Sequence, residues 1–196
     1  MSTVRLMATI PVEVLLKAYS QGAFPMAHED GELYWHQPDP RAIFDISGLK
    51  PDPTTARVLR SGRYSTSIDR AFEQVVRACA DREETWIDER IIASFVQLHR
   101  SGHAHSFEVW EETHLVGGIY GVALGGAFFG ESMFGANNAG KVAFYSMAAH
   151  LRDLGFVLFD TQYINPFTAQ LGAYEIPKAE FDLLLGHAME QRIQFR

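Results

Sequence analysis

Three polar residues at the ends of two apolar segments could act together. Glu131 stands in Gly130-Glu131-Ser132-Met133-Phe134, and Asp160 and Gln162 stand in Phe159-Asp160-Thr161-Gln162. A carboxylate beside a carboxamide can orient an amine and accept its proton. Two carboxylates would also attract a cationic substrate. The plainer reading is a set of polar residues closing strands. Around them Ile119, Phe128, Met133, Phe144, Met147, Leu151 and Phe159 could line one cavity. Binding pockets are mostly apolar with a few polar groups, although such a stripe also reads as ordinary core. Trp35 and Trp86 lie in polar, turn-rich stretches. Each could stack on a nucleobase or pack half-buried. Arg57, Arg60, Arg63, Arg70 and Arg77 could meet phosphates or form a solvated face.

Two other patterns carry less. Gly135 to Lys141 has the spacing of a phosphate-binding P-loop, but Val142 stands where that motif needs a hydroxyl for Mg²⁺. A glycine-bearing loop entering a helix is the simpler expectation. His99, His103 and His105 are close in sequence. Gly102 interrupts the helix between the first two, and no acidic third ligand has an obvious spacing, so no metal is expected.

The elements that must position these residues follow from periodicity. Val12, Leu15, Leu16 and Tyr19 have helical spacing after Pro11. Short strands are expected at 33–36, 42–44 and 64–67, with a connector between the last two. Asp69 is expected to cap a helix over 71–80. A helix over 90–101 ends at Gly102. Segments 106–111, 115–123 and 127–134 read as an antiparallel meander. A helix over 141–154 then leads to an apolar strand at 156–159. A strand, helix, strand crossover makes the two flanking strands parallel neighbours. Glu131, Asp160 and Gln162 should then lie close together at a strand edge. Alternation places Asp160 and Gln162 on one face. A short helix from Thr168 and an extended Tyr174 to Pro177 complete the expected elements.

The whole chain sets outer limits. Its 196 residues carry 17 Lys plus Arg against 24 Asp plus Glu, a net charge of −7. The overall field opposes wholesale wrapping by nucleic acid but allows a local basic patch. At 47% apolar and 21% charged residues the composition is globular. Cys79 is the single cysteine, so no internal disulfide or thiolate metal cluster can form within one chain. The uncharged run from Leu115 to Gly130 is glycine-rich and shorter than the ~20 residues of a membrane helix. The expectation is a cytoplasmic protein.

Longer motifs then carry a resemblance. Tyr19-Ser20-Gln21-Gly22-Ala23-Phe24-Pro25 is followed by Trp35-His36-Gln37-Pro38-Asp39-Pro40-Arg41, then Thr85-Trp86-Ile87 and Gly102-His103-Ala104-His105-Ser106. Glu108-Val109-Trp110, Leu115 to Val122, Gly130 to Phe134, Asp160-Thr161-Gln162, Leu171-Gly172-Ala173 and Glu175-Ile176-Pro177 continue in order. Together they resemble the leucyl/phenylalanyl-tRNA–protein transferases over residues 19 to 185.

The resemblance implies an α+β fold: a GNAT-like mixed sheet flanked by helices over 63–196, with a smaller N-terminal α/β domain over 1–62. It implies transfer of Leu or Phe, less well Met, from aminoacyl-tRNA to proteins with N-terminal Arg or Lys. The product would be an N-degron read by bacterial proteolysis. Asp160 and Gln162 match the catalytic pair, and Glu131, with both of them, the acceptor pocket. The seven apolar residues match the pocket for the transferred side chain. Trp35 and Trp86 match residues near the 3′-terminal adenosine, and the five arginines would meet tRNA phosphates. Asn165 follows in the same stretch. No cofactor or metal is implied, and a monomer is expected. An acetyl-CoA-dependent N-acetyltransferase and a non-catalytic binder of basic N-termini are the alternatives.

Overall fold

The computed structural model describes residues 9–136 and 138–196. The helices are α1 (Val12–Ser20), α2 (Pro53–Arg60), α3 (Phe72–Ala80), α4 (Glu89–Arg100), α5 (Ala139–Leu154), α6 (Pro166–Gln170) and α7 (Lys178–Met189). The strands are β1 (Phe24–Ala27), β2 (Leu33–His36), β3 (Arg41–Phe44), β4 (Ser65–Ile68), β5 (Ala104–Glu111), β6 (His114–Leu124), β7 (Ala127–Gly135), β8 (Leu158–Gln162) and β9 (Tyr174–Ile176). Strands β1 and β2 form a separate hairpin, and the other seven form one sheet in the order β4-β5-β6-β7-β8-β3-β9. Every pairing in that sheet is antiparallel except β7 with β8, which α5 joins as a crossover. The protein is therefore a mixed α+β fold with a mainly antiparallel sheet flanked by helices.

Period-2 alternation divides the core. Tyr120, Val122 and Phe129 face α1, α3, α4 and α7. Ile119, Phe128 and Phe159 face α5. Gly117 allows α5 to start hard against β6, because a Cβ there would lie 2.8 Å from Ala139. Segment 1–62 supplies the hairpin and also β3, an internal strand of the large sheet.

The structure alters the expected elements in several places. The connector contains α2, capped by the Asp52 side chain accepting from Thr55 N–H at 2.9 Å, with Pro53 opening the first turn. Asp69 caps nothing. Helix α3 starts at Phe72, and Asp69 instead accepts from His105 Nδ1 at 2.7 Å and Ser106 N–H at 2.8 Å. Strand β1 and helix α7 are additional elements. Phe181, Leu185 and Ala188 hold α7 to the core at helical spacing.

Two β-bulges shape the region between β7 and β8. On β7, Gly121 pairs with Gly130 and Tyr120 pairs with Ser132, which leaves Glu131 as the extra residue. On β8, Ile43 pairs with Asp160 and Ala42 with Gln162, which leaves Thr161 extra. A bulge bends its strand and re-aims side chains. Strands β7 and β8 pair over Ala127↔Leu158, Phe128↔Phe159 and Phe129↔Asp160, and the paired register ends there.

Candidate active site

The part of the sheet beyond that last pair borders a cleft of about 530 Å³. Gln162 and Glu131 line it and join directly: Gln162 Nε2 donates to Glu131 Oε1 at 2.9 Å. The Tyr19 hydroxyl of α1 donates to the same oxygen at 2.8 Å. Glu131 Oε2 is buried and has no hydrogen-bond partner among the described residues. Burial pushes the Glu131 carboxyl up to about 8, against the Tyr19 and Gln162 hydrogen bonds, which pull it down. Below that pH the unliganded protein holds Glu131 as a neutral acid. A cationic ligand reaching it would favour the carboxylate and release a proton.

Asp160 is in a different situation. It is fully buried and takes both arms of Arg41, Nε at 2.8 Å and Nη2 at 2.6 Å. Arg41 is also buried, donates to the Gly22 carbonyl at 2.8 Å, and lies against the Phe24 and Phe181 rings. The bidentate geometry is the strong form of a carboxylate–guanidinium pair. Asp160 Oδ1 also accepts the Gln162 backbone N–H at 2.9 Å. Gln162 has φ +67, a left-handed conformation that a non-glycine residue adopts at a cost of roughly 1–2 kcal/mol. Asp160 thus holds the backbone that aims Gln162. Among these residues, Gln162 and Glu131 line the cleft; Asp160 acts from behind it.

The structure separates the seven expected pocket residues. Ile119, Met133, Phe144 and Phe159 line the cleft, joined by Phe44. Phe128, Met147 and Leu151 are buried in the core between β7 and α5, outside the lining. Trp86 lines the cleft, whereas Trp35 is 47% exposed on β2 and does not. Asn165 lines it and caps α6, accepting from Phe167 N–H and Thr168 N–H at 2.9 Å each.

The five arginines do not share one surface. Arg57 and Arg60 are exposed on α2, which packs on the α5 side of the sheet, while Arg77 is on α3, on the opposite side. Arg63 pairs with Glu111, and Arg77 with Glu73 and Glu89, each at 2.9 Å. Arg70 lies over the Trp110 ring.

Residues with a part in the site that the sequence did not single out include Arg41, Tyr19, Arg82 and Phe44. A signal existed for Arg41, because a charged residue leading the apolar run Ala42-Ile43-Phe44 needs a buried partner. For metal binding, Asp69, His99 and His105 have ligand atoms within 4.8 Å of one another. Those groups are already engaged. His99 Nδ1 meets the Ala104 carbonyl at 2.7 Å, and His105 meets Asp69 and the Gly102 carbonyl. Burial pushes the Cys79 thiol up to about 12, against a weaker pull from Ser132, which makes it unreactive.

Known proteins share this chain's sequence over most of its length. Residues 43–186 match the family model for leucyl/phenylalanyl-tRNA protein transferase, and residues 8–39 match the model for its N-terminal domain. A leucyl/phenylalanyl-tRNA–protein transferase of Gloeobacter violaceus is 46% identical over 193 residues, covering 97% of this chain and all of the relative. Its counterpart in Rubrobacter xylanophilus is 50% identical over 179 residues, covering 90% of this chain and 94% of the relative. The one in Ruegeria pomeroyi is 47% identical, covering 95% and 90%. Among solved structures, L-PGS from Bacillus licheniformis aligns at 13% identity with a TM-score of 0.43 over 65% of this chain and 47% of the other, too little to argue from. The matches span nearly the whole sequence, and the chain belongs to the leucyl/phenylalanyl-tRNA–protein transferase family.

Proposed function

We propose that this protein moves Leu or Phe, and less well Met, from aminoacyl-tRNA to the α-amino group of proteins that begin with Arg or Lys. The observation that carries the reading is the Glu131–Gln162 contact beside the apolar wall formed by Ile119, Met133, Phe144 and Phe159. One cleft thereby offers an apolar site for the transferred side chain and a carboxyl for a basic N-terminus.

The chemistry is aminolysis of an ester. The acceptor nitrogen forms the new C–N bond, the bond from the acyl carbon to the ribose oxygen breaks, and the amine proton ends on that oxygen. The ester is already activated, so the step draws on no further energy source. With Nε2 committed to Glu131, the Gln162 carbonyl oxygen is left to hold the attacking amine. A neutral amide is a weak base, so its contribution is orientation. An α-amine has pKa ~8 and is partly neutral near pH 7. Asp160 supports Gln162 through its backbone. The apolar wall that includes Phe144 and Phe159 suits an unbranched or γ-branched side chain. Apolar pockets distinguish one methylene by only ~1–3 kcal/mol, which admits methionine. In this reading Trp86 stacks on the terminal adenine, and exposed arginines such as Arg57 and Arg60 meet tRNA phosphates.

The finer fold reading, a GNAT-like catalytic unit, belongs to the same proposal. The parallel β7–β8 pair joined by α5 supports it. A cytoplasmic, monomeric enzyme producing N-degrons completes the proposal. Among the described residues no helix is long and apolar enough to cross a membrane.

The test is transfer of labelled leucine from its tRNA to a peptide beginning with Arg. A peptide beginning with Asp and a reaction with acetyl-CoA as donor serve as controls. Transfer to the Arg peptide alone, from tRNA alone, is expected. Modification only by acetyl-CoA would overturn the reading.

A further inference from the structure

Arg82 is a cation on the cleft wall that the chemistry above leaves without a task. Its Nη2 donates to Ser132 Oγ at 3.1 Å and to the Met133 carbonyl. Both partners are neutral oxygens. Arg41, Arg63, Arg77 and Arg90, by contrast, pair with carboxylates. Arg82 Nε and Nη1 have no hydrogen-bond partner among the described residues. The guanidinium is therefore tethered, not neutralised, and keeps donors free for an oxyanion.

Its surroundings indicate which anion. Trp86, four residues on, lines the same cleft. Backbone hydrogen bonds hold both ends of the segment: Arg82 N–H donates to Ala80 O at 2.9 Å, and Ala27 N–H to Trp86 O at 3.1 Å. An aromatic ring and a free guanidinium on one short segment provide a base-stacking surface and a phosphate fork. The cleft lining carries a guanidinium at Arg82 and a carboxyl at Glu131. An anionic donor is drawn to Arg82, whereas a basic acceptor is held at Glu131 once that carboxyl gives up its proton.

We propose that Arg82 binds the 5′-phosphate of the donor's terminal nucleotide and so sets the position of its ester beside Gln162. The inference rests on the transferase reading above. It makes Arg82 a donor-binding residue for the nucleotide, distinct from the apolar pocket that reads the amino acid.

The test uses two minimal donors, 3′-O-phenylalanyl adenosine and the same compound carrying a 5′-phosphate, with an Arg-initiated peptide as acceptor. In the wild type the phosphate should lower the donor KM about 10-fold, as expected for a charge-assisted hydrogen-bonded pair. Arg82→Ala should abolish that ratio and change KM for the phosphate-free donor less than about 3-fold. Arg82→Lys should retain part of the ratio, since it restores charge without the fork. Equal losses with both donors would overturn the assignment and leave Arg82 as a support for Ser132 and Met133. So would a rise confined to the KM of the peptide, or a wild type indifferent to the phosphate. A wild type that transfers from neither these donors nor tRNA overturns the transferase reading itself, and this assignment with it.

Discussion

Two buried polar clusters in this molecule differ in how completely their atoms are bonded. At the β4–β5 edge, Glu108 is fully buried and both its oxygens are used. One accepts from Ser106 Oγ at 2.5 Å and Ala71 N–H at 3.4 Å; the other accepts from Ser67 Oγ at 2.5 Å and Arg70 N–H at 3.3 Å. Asp69 beside it meets His105, Ser106 N–H and Arg196. Burial alone would raise the Asp69 pKa, but those hydrogen bonds and the neighbouring histidines hold it below the usual range. At the cleft, Glu131 Oε2 is buried and has no partner among the described residues, and the same holds for the Tyr120 hydroxyl in the core behind it. A saturated cluster contributes to folding, whereas an unsaturated one costs stability until some partner bonds it. The first region is bonded within itself, and the second leaves a buried carboxyl oxygen open.

That contrast can be broken by experiment. The largest expected effect is at Arg41, which belongs with the saturated groups although it lies behind the cleft. Arg41→Met leaves Asp160 buried without its counter-charge and should cost about 3–5 kcal/mol in urea unfolding, with activity lost in the folded fraction. A change below about 1 kcal/mol would mean that Asp160 is held by something else.

Gln162→Ala should act in the opposite sense. Loss of an orienting contact should lower kcat/KM for leucine transfer on the order of 10²-fold. Thermal stability should stay close to wild type, because Glu131 Oε1 keeps its hydrogen bond from the Tyr19 hydroxyl. Unchanged turnover would remove Gln162 from the mechanism.

Glu108→Gln tests the saturated side. It turns an acceptor toward groups that already donate, so stability should fall by about 1–3 kcal/mol, with kcat/KM per folded molecule unaltered. A kinetic defect would tie this edge to the site.

A further distinction is a pH slope. In the folded chain Glu131 titrates at about 8, against 4.5 for an unperturbed glutamate such as the unfolded chain presents. Between those values the folded chain holds a proton that the unfolded chain has released. Wild-type stability should therefore fall with rising pH, relative to Glu131→Gln, by about 1.4 kcal/mol per unit, and level off above about pH 8. Denaturant titrations of both proteins from about pH 5 to 9 read this directly. Parallel curves would mean that Glu131 is ionised throughout. Calorimetry in buffers of different ionisation enthalpy should show proton release when an Arg-initiated peptide binds below about pH 8.

Much of this arrangement was legible in residue order. The meander, the crossover helix and the closeness of Glu131 to Gln162 follow from local periodicity and from the geometry of a strand–helix–strand unit. Alternation was less reliable at the site. It predicted Asp160 and Gln162 on a common face; the bulge at Thr161 and the positive φ of Gln162 make the spacing irregular there. Phe128, Met147 and Leu151 illustrate a second limit. Apolar type and helical spacing identify residues that turn inward, but a residue lining a cavity and one filling the core have the same pattern.

The sequence by itself determined which elements form, which faces they bury and which family the motifs resemble, because those depend on short intervals and on motif order. Only the tertiary structure decided that Asp160 is paired with Arg41, 119 residues away, and that Glu131 is bonded to Tyr19, 112 residues away. It also placed Arg82 on the cleft wall. Burial, charge compensation and unsatisfied bonding are properties of groups brought together by the whole fold, and no local interval encodes them.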